Sequence, residues 1–290
     1  MADSHFAREL WRRLETLHAV TYFAPESLEA AQRIGINGFW RTYFGYRAAP
    51  LGACSPGVVT AAFFGFAPAM VARAIPSIWQ LATPEEFLQA RAAGAAAVLD
   101  RLALEELRTV VEDSWTQGVL TKAIGNGTSG NLPLFLANRD VPLPDDPVAA
   151  FWQQTSTLRE HRGDGHVVTW TARGFGPVEV AVLFVAGGGT SREALQPNRG
   201  WTDDEWQGAV DGSVARGLLD TDGRITAAGR QLLDAVERDT DRLAEAPFLF
   251  LDDRERKRLL DALTPAALAV AGSGTIPAPN PMGLPLPGND

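Results

Sequence analysis

The chain has 290 residues, 46% of them hydrophobic, and 26 Lys and Arg against 35 Asp and Glu leave a net charge of -9. It is long enough for one large or two medium globular domains and too apolar for disorder, and its acidic surface disfavours nucleic acid as a partner. A single cysteine, Cys54, excludes an internal disulfide framework.

The opening string MADSHFARELWRRLETL is charged and helix-like with no apolar signal region, so a cytoplasmic protein is expected. Helices are predicted over 6–23, 25–34, 38–47 and 84–104, with an apolar segment over 57–76 between the last two. Pro25, Pro56 and Pro84 sit where a first helical turn can begin, and Thr83 with Glu86 reads as a capping box. The segment 57–76 is apolar for about 16 residues, short of the ~18 to 20 that a spanning helix needs, so a buried core helix and no membrane segment are expected. Residues 125–147 hold the turn formers, and Asp146 is placed to cap a new helix starting at Pro147.

That helix is predicted over 147–173, interrupted at Gly163 and Gly165. A short apolar stretch over 176–186 and a Gly-rich loop follow. Thr202 with Glu205 forms a second capping box, LLDTDGRIT alternates around an Asp-Gly turn like a two-stranded ribbon, and 227–243 is helical again. Helix, wing, helix is the pattern of a winged helix-turn-helix. The expected fold is mainly α. A helical bundle over 1–124 and a linker over 125–146 precede a winged-helix-like domain with a small β-wing over 147–262, and a Pro/Gly-rich extended tail closes the chain over 263–290.

Four strings, LETLHAVTYFAPE (14–26), GFWRTYFGYRAAPLG (38–52), LREHRGDGHV (158–167) and RGLLDTDGRITAAG (216–229), make the chain resemble the SalK-like actinobacterial family. These are helix-turn-helix proteins often encoded in natural-product gene clusters. The resemblance runs over nearly the full length and implies a helix-turn-helix fold in a natural-product setting. It carries no catalytic residues over, and fold alone does not give function.

Chemistry-bearing residues gather in three places. Glu15, His18 and Tyr22 share one face of the first helix, either as a core histidine with its partners or as an acid-base group. Trp40, Tyr43, Phe44 and Arg47 form an aromatic stripe ending in a guanidinium. Such a stripe is core, or its arginine anchors an anionic or carbonyl-bearing ligand, because a buried arginine needs a carboxylate, a phosphate or a π-face. His161, Arg162, Asp164 and His166 surround two glycines that each cost about 1 kcal/mol in a helix interior. A metal site is disfavoured there, since histidines five apart do not share a helical face. A hydrogen-bond node pairing Arg162 with Asp164 or Glu160, and a ligand or acid-base site, both stay open. Nucleophile-elbow and phosphate-loop motifs are missing, and no cofactor is expected.

From Gly200 to Phe248 eleven acids stand against five arginines, and the recognition helix expected over 203–216 carries one basic residue, too few for a DNA reader. The sequence therefore leads to a small-molecule-binding protein, a tailoring enzyme of bacterial natural-product biosynthesis on a degenerate winged-helix scaffold. His18, Tyr22 and His161 are the expected catalytic groups, and Trp40, Tyr43, Arg47, Arg162, Asp164 and His166 the ligand-binding ones. A bend at the glycines is expected to bring His161 and His166 to a pocket shared with His18 and Arg47. The rival is a ligand-responsive winged-helix transcriptional regulator. The expected partner is a small organic molecule, with no metal, no membrane and no specific DNA; a homodimer is left open.

Overall fold

The computed structural model describes residues 5–128, 130–277, 280, 282, 284 and 286–288, without the side chain of Leu104. Proline punctuates the chain as the sequence suggests: α1 (His5–Phe23), α2 (Pro25–Arg33), α3 (Phe39–Ala48), α4 (Pro56–Phe63), α5 (Pro68–Ala72) and α6 (Pro84–Glu112) form the first half, and four of the last five start on proline, Pro25, Pro56 and Pro84 as expected for a first turn lacking N–H partners and Pro68 in addition. The Thr83–Glu86 capping box closes in both directions, and α6 kinks at Ala103. Next come α7 (Ser114–Asn126), α8 (Pro133–Arg139), α9 (Pro147–Ala172) and α10 (Pro177–Ala186). The last four are α11 (Arg192–Arg199), α12 (Asp203–Ala215), α13 (Ala227–Glu245) and α14 (Asp253–Gly272).

The central element is α9, which packs against α1, α6, α7, α8 and α13. It is buried nearly all round although much of it is polar, from Gln153 to Thr169. Thr155, Ser156, Thr157 and Thr169 return their hydroxyls to carbonyls three or four residues back, which satisfies them locally. Its charged groups need partners from neighbouring helices, and these define the site. One apolar core joins α1, α6, α7, α9 and α14; a second joins α2 to α5 with the start of α6; a third joins the end of α9 to α10 through α13.

Several expectations are corrected. Among the described residues there is no strand: the β-wing reduces to a single antiparallel bridge, Leu219 to Ile225, because Asp220 folds its carboxylate back onto the Asp222 and Arg224 amides and keeps the turn too tight for a ladder. The 57–76 segment is not one helix. It breaks into α4 and α5, since Phe64 at φ 54 centres a γ-turn closed by Gly65 N–H to the Phe63 carbonyl at 2.6 Å, and Pro68 then restarts the helix. The 125–146 linker contains α8. Helix α9 runs unbroken through Gly163 and Gly165, which its packed surroundings enforce. The 263–290 tail begins with the end of α14, which returns to pack on α1 and α6, so the two halves interlace. Among the described residues no helix is long and apolar enough to cross a membrane.

Candidate functional site

Where the two halves meet lies a cavity of about 530 Å³, lined from α1, α3, α4 and its γ-turn, α9, α10, α11 and α13. That volume is within the usual range for small-molecule sites, ~300 to 1,000 Å³. Among the described residues six arginines, Arg8, Arg12, Arg47, Arg159, Arg162 and Arg199, and two carboxylates, Glu15 and Glu237, line it, and Glu160 and Asp241 pair with four of the arginines from behind, so the wall is rich in arginine. Val180, Ala181, Phe184, Leu233 and Val236 supply an apolar wall from α10 and α13. Three guanidiniums lie on aromatic faces: Arg47 over Phe63 at 4.4 Å, Arg162 over Trp11 at 4.2 Å, and Arg199 over Phe66 at 4.4 Å. The halves are stitched beside the cavity by Ala67 N–H to the Arg199 carbonyl at 2.8 Å and Trp201 Nε1–H to the Gly65 carbonyl at 3.2 Å.

Behind the wall runs an ion-pair chain. Arg47 donates to both oxygens of Glu160 at 3.0 and 3.2 Å, and Arg159 lies 2.8 Å from Glu160 while its Nε donates to Glu15 at 2.9 to 3.0 Å. Trp11 Nε1–H adds a donor to Glu15 at 3.0 Å. Burial alone would raise the Glu160 carboxyl, but Arg159 and Arg47 outweigh it and hold it down at about 2. A second group ties Arg162 to Glu237 and Asp241 at 3.0 and 3.1 Å and Arg8 to Asp241 at 2.7 and 3.0 Å, which joins α1, α9 and α13.

His18 and Tyr22 occupy a different place. With Arg47, Glu160, Arg91 and Ser156 they line a small void of about 10 Å³, room for about one water. The His18 ring stacks on Trp152; its Nδ1 lies 2.8 Å from Ser156 Oγ and its Nε2 2.8 Å from the Tyr22 hydroxyl. Ser156 donates to the Trp152 carbonyl, which assigns the proton to Nδ1 and leaves Nε2 to accept from Tyr22. Burial, reinforced by Arg159, keeps the imidazolium well below its ordinary range, and burial pushes the Tyr22 phenol up. Arg91, deep in the same region, is held by the Tyr46 carbonyl, Asn138 and Gln153, and burial lowers it to about 10.

The predicted residues thus divide. Tyr43, Arg47, Arg162 and His166 line the large cavity, and Arg47 also borders the small void. His166 accepts Trp170 Nε1–H at Nε2 and faces Thr240 Oγ1 through Nδ1, both at 3.0 Å, and burial lowers it to about 4. Trp40 sits outside the cavity, edge-on to Tyr43 and Phe66 in the second core. His161 and His166 do not converge: a straight helix puts residues five apart on different faces, and His161 packs edge-on to Phe135 with burial lowering it to about 4. Asp164 neither pairs with Arg162 nor reaches the cavity. It accepts the Phe135 amide at 2.9 Å, and burial, with Glu160 adding to it, raises its carboxyl to about 7. Arg8, Trp11, Arg159, Arg199 and the Phe63–Phe66 turn were not singled out from sequence. The i, i+4 spacing of Arg8 with Arg12 and of Trp11 with Glu15 puts the first two on faces of α1 beside charged groups and was a signal available for them; no local spacing marks Arg159, Arg199 or the turn.

Gly163 and Gly165 have negative φ, and a Cβ on either meets its nearest neighbours at 3.5 Å: Arg159 Nη1 and Glu160 Oε2 for Gly163, Leu243 for Gly165. Neither is forced by backbone or packing. Gly163 lines the cavity, and its missing side chain adds room there.

A family model described as a helix-turn-helix family matches residues 7–277. The chain belongs to that family. No curated protein and no solved structure matches it. In this helix-turn-helix protein α11 and α12 are joined through a turn at Gly200 with φ 77, and Trp206 and Ala209 of α12 face the third core with Leu195 and Leu219. The outward face of α12 carries Asp203, Asp204, Glu205 and Asp211, all exposed. Arg216, just after it, stacks on Phe175 at 3.7 Å and pairs with Glu179, and Arg224 at the wing turn pairs with Asp222.

Proposed function

We propose that this helix-turn-helix protein binds a small organic molecule in the cavity between its halves, with Arg47 among the anchoring groups. The observation that carries the reading is the cavity itself: about 530 Å³, walled by both halves, lined by arginines on one side and by apolar side chains on the other. Two features add support. Phe64, which lines the cavity, sits at φ 54, a strained conformation for a bulky residue that is kept where surroundings demand it, often at ligand sites. Gly163 keeps the wall open at a cost in helix propensity that no packing contact requires.

The catalytic form of the reading, a cofactor-independent tailoring enzyme of natural-product biosynthesis, draws less on the geometry. His18 and Tyr22 lie in the small void, His161 borders neither space, and both nitrogens of His166 are engaged. Membership of the helix-turn-helix family favours a second reading, a ligand-responsive transcriptional regulator. The exposed acids of α12 and the internal pairing of Arg216 and Arg224 oppose it, since phosphate contacts need several free cations around the recognition helix.

Native mass spectrometry of protein from its own cells tests the first reading. A stoichiometric added mass of small-molecule size that is lost in Gly163→Phe supports it, and identical masses for both proteins refute it. Specific retention on the DNA upstream of its own gene, abolished in Arg216→Ala, would replace it with the regulator.

A further inference from the structure

We infer that the molecule taken by this cavity is uncharged and aromatic, a flat ring system whose only polar groups are hydroxyl or carbonyl oxygens. The inference rests on the small-molecule reading above and names the chemistry of the ligand. It starts from α10, PVEVAVLFVA, whose single charged side chain, Glu179, folds back onto the Gly176 amide at 2.8 Å. A helix so apolar all round belongs in a core on every side. Yet α10 packs against α11 and α12, only Ala181, Val182 and Leu183 of it are buried, and Val180, Ala181 and Phe184 give onto the cavity. Leu233 and Val236 of α13 continue that apolar face. This face of α10 meets the cavity rather than another helix, and burying it against an apolar molecule is what the hydrophobic effect rewards. The glycines after α10 serve the same wall. Gly187 and Gly189 line the cavity, where a Cβ would meet Leu233 and the Phe184 ring, so the rim lies close to the apolar face without filling the space.

The opposite wall sets the charge. Its guanidiniums are already engaged: Arg8 and Arg162 with Asp241, Arg47 with Glu160, Arg159 with Glu15, Arg12 with Glu9 at 3.4 Å, and Arg199 with the Tyr43 hydroxyl. An anion entering here would have to compete with those carboxylates, and a cation would meet arginines. What a paired guanidinium still offers is its flat face. Arg47, Arg162 and Arg199 each lay one face on an aromatic ring, 4.2 to 4.4 Å from its centre. A second ring stacked on the other face gains without any change in charge. Trp11, Phe64 and Trp170 add aromatic surface to the same lining. A guanidinium carries more N–H donors than one carboxylate takes, so hydroxyl or carbonyl oxygens on the ring system find partners there.

The test uses two dyes that share a ring system: N-phenyl-1-naphthylamine, which is neutral, and 1-anilinonaphthalene-8-sulfonate, which adds a sulfonate. Each is titrated into full-length native protein and its variants, with near-UV circular dichroism confirming the fold. The neutral dye is expected to bind about tenfold or more tighter, with an affinity that added salt does not move. It should weaken about tenfold in Phe184→Ala, which removes a ring from the apolar wall, and in Val180→Asn, which makes that wall polar. Val180 is half-buried, so Val180→Asn serves should Phe184→Ala fail to fold. Displacement of the neutral dye by 1-naphthol, but not by 1-naphthoate, supports the uncharged class. A sulfonate that binds as tightly as the neutral dye or more tightly, and is lost in Gly163→Phe, overturns that class and leaves a cavity for anions. A neutral dye unmoved by either α10 variant overturns the placement against α10. Binding of neither dye to the cavity, read as no change in Gly163→Phe, overturns the small-molecule reading itself.

Discussion

Glu160→Gln removes one negative charge from the ion-pair chain and almost no volume. Glu160 is 2% exposed and is held by Arg47 through two hydrogen bonds and by Arg159 at 2.8 Å. Its carboxyl is held down from 4.5 to about 2 because the two arginines outweigh the burial that opposes them. At ~1.4 kcal/mol per pKa unit that depression corresponds to about 3 kcal/mol of stability at neutral pH. The figure agrees with the ~3 to 5 kcal/mol lost when one partner of a buried pair is removed. A folded-state pKa below the unfolded one contributes stability that is complete above about pH 4.5 and is lost as the pH falls through about 2. Urea unfolding at pH 7 should therefore show the variant about 3 kcal/mol less stable, with a melting temperature lower by roughly 6 to 12 °C. The gap should narrow as the pH is lowered from about 4.5 toward 2. A loss under 1 kcal/mol at pH 7, or a gap that does not change with pH, would refute the account of this chain.

Four further outcomes follow from the same geometry. Gly163→Ala should raise stability by about 0.4 to 1 kcal/mol, since its Cβ meets neighbours only at 3.5 Å; a destabilised variant in thermal unfolding contradicts this. Asp164→Asn should gain about 4 kcal/mol at pH 8 and little at pH 4, because a carboxyl raised from 3.8 to about 7 destabilises the fold as the pH rises through that window; chemical unfolding at both pH values reads it. The His166 ring should titrate near pH 4 and not near 6.5 in NMR spectra, and the His18 ring should stay neutral at pH 6. His18→Ala should cost about 1 to 3 kcal/mol by stranding the Tyr22 hydroxyl and Ser156, which a melting curve detects.

The helices were legible because their starts are written locally: prolines at first turns, and the Thr83 and Thr202 boxes, encode hydrogen bonds within four residues. The wing was over-read, since LLDTDGRIT alternates as a ribbon would, but its Asp220 turn closes after one bridge. The break at Phe64 was hidden inside an apolar run, where periodicity does not distinguish one buried helix from two. Arg47 was legible as a buried guanidinium in need of a partner, yet the partner, Glu160, lies 113 residues away and no spacing rule reaches that far. The glycines of EHRGDGH were noticed for a real cost, but the cause differs: α9 stays straight, and Gly163 leaves space in a wall that only tertiary packing brings into being.

The central claim, a ligand site between the halves, is tested most directly by a crystal structure of the protein grown with N-phenyl-1-naphthylamine. The account predicts the dye inside the cavity, its rings between the apolar wall of α10 and α13 and the arginines over Phe63 and Phe66. A dye bound only on the outer surface, with the cavity between the halves holding none, would contradict it.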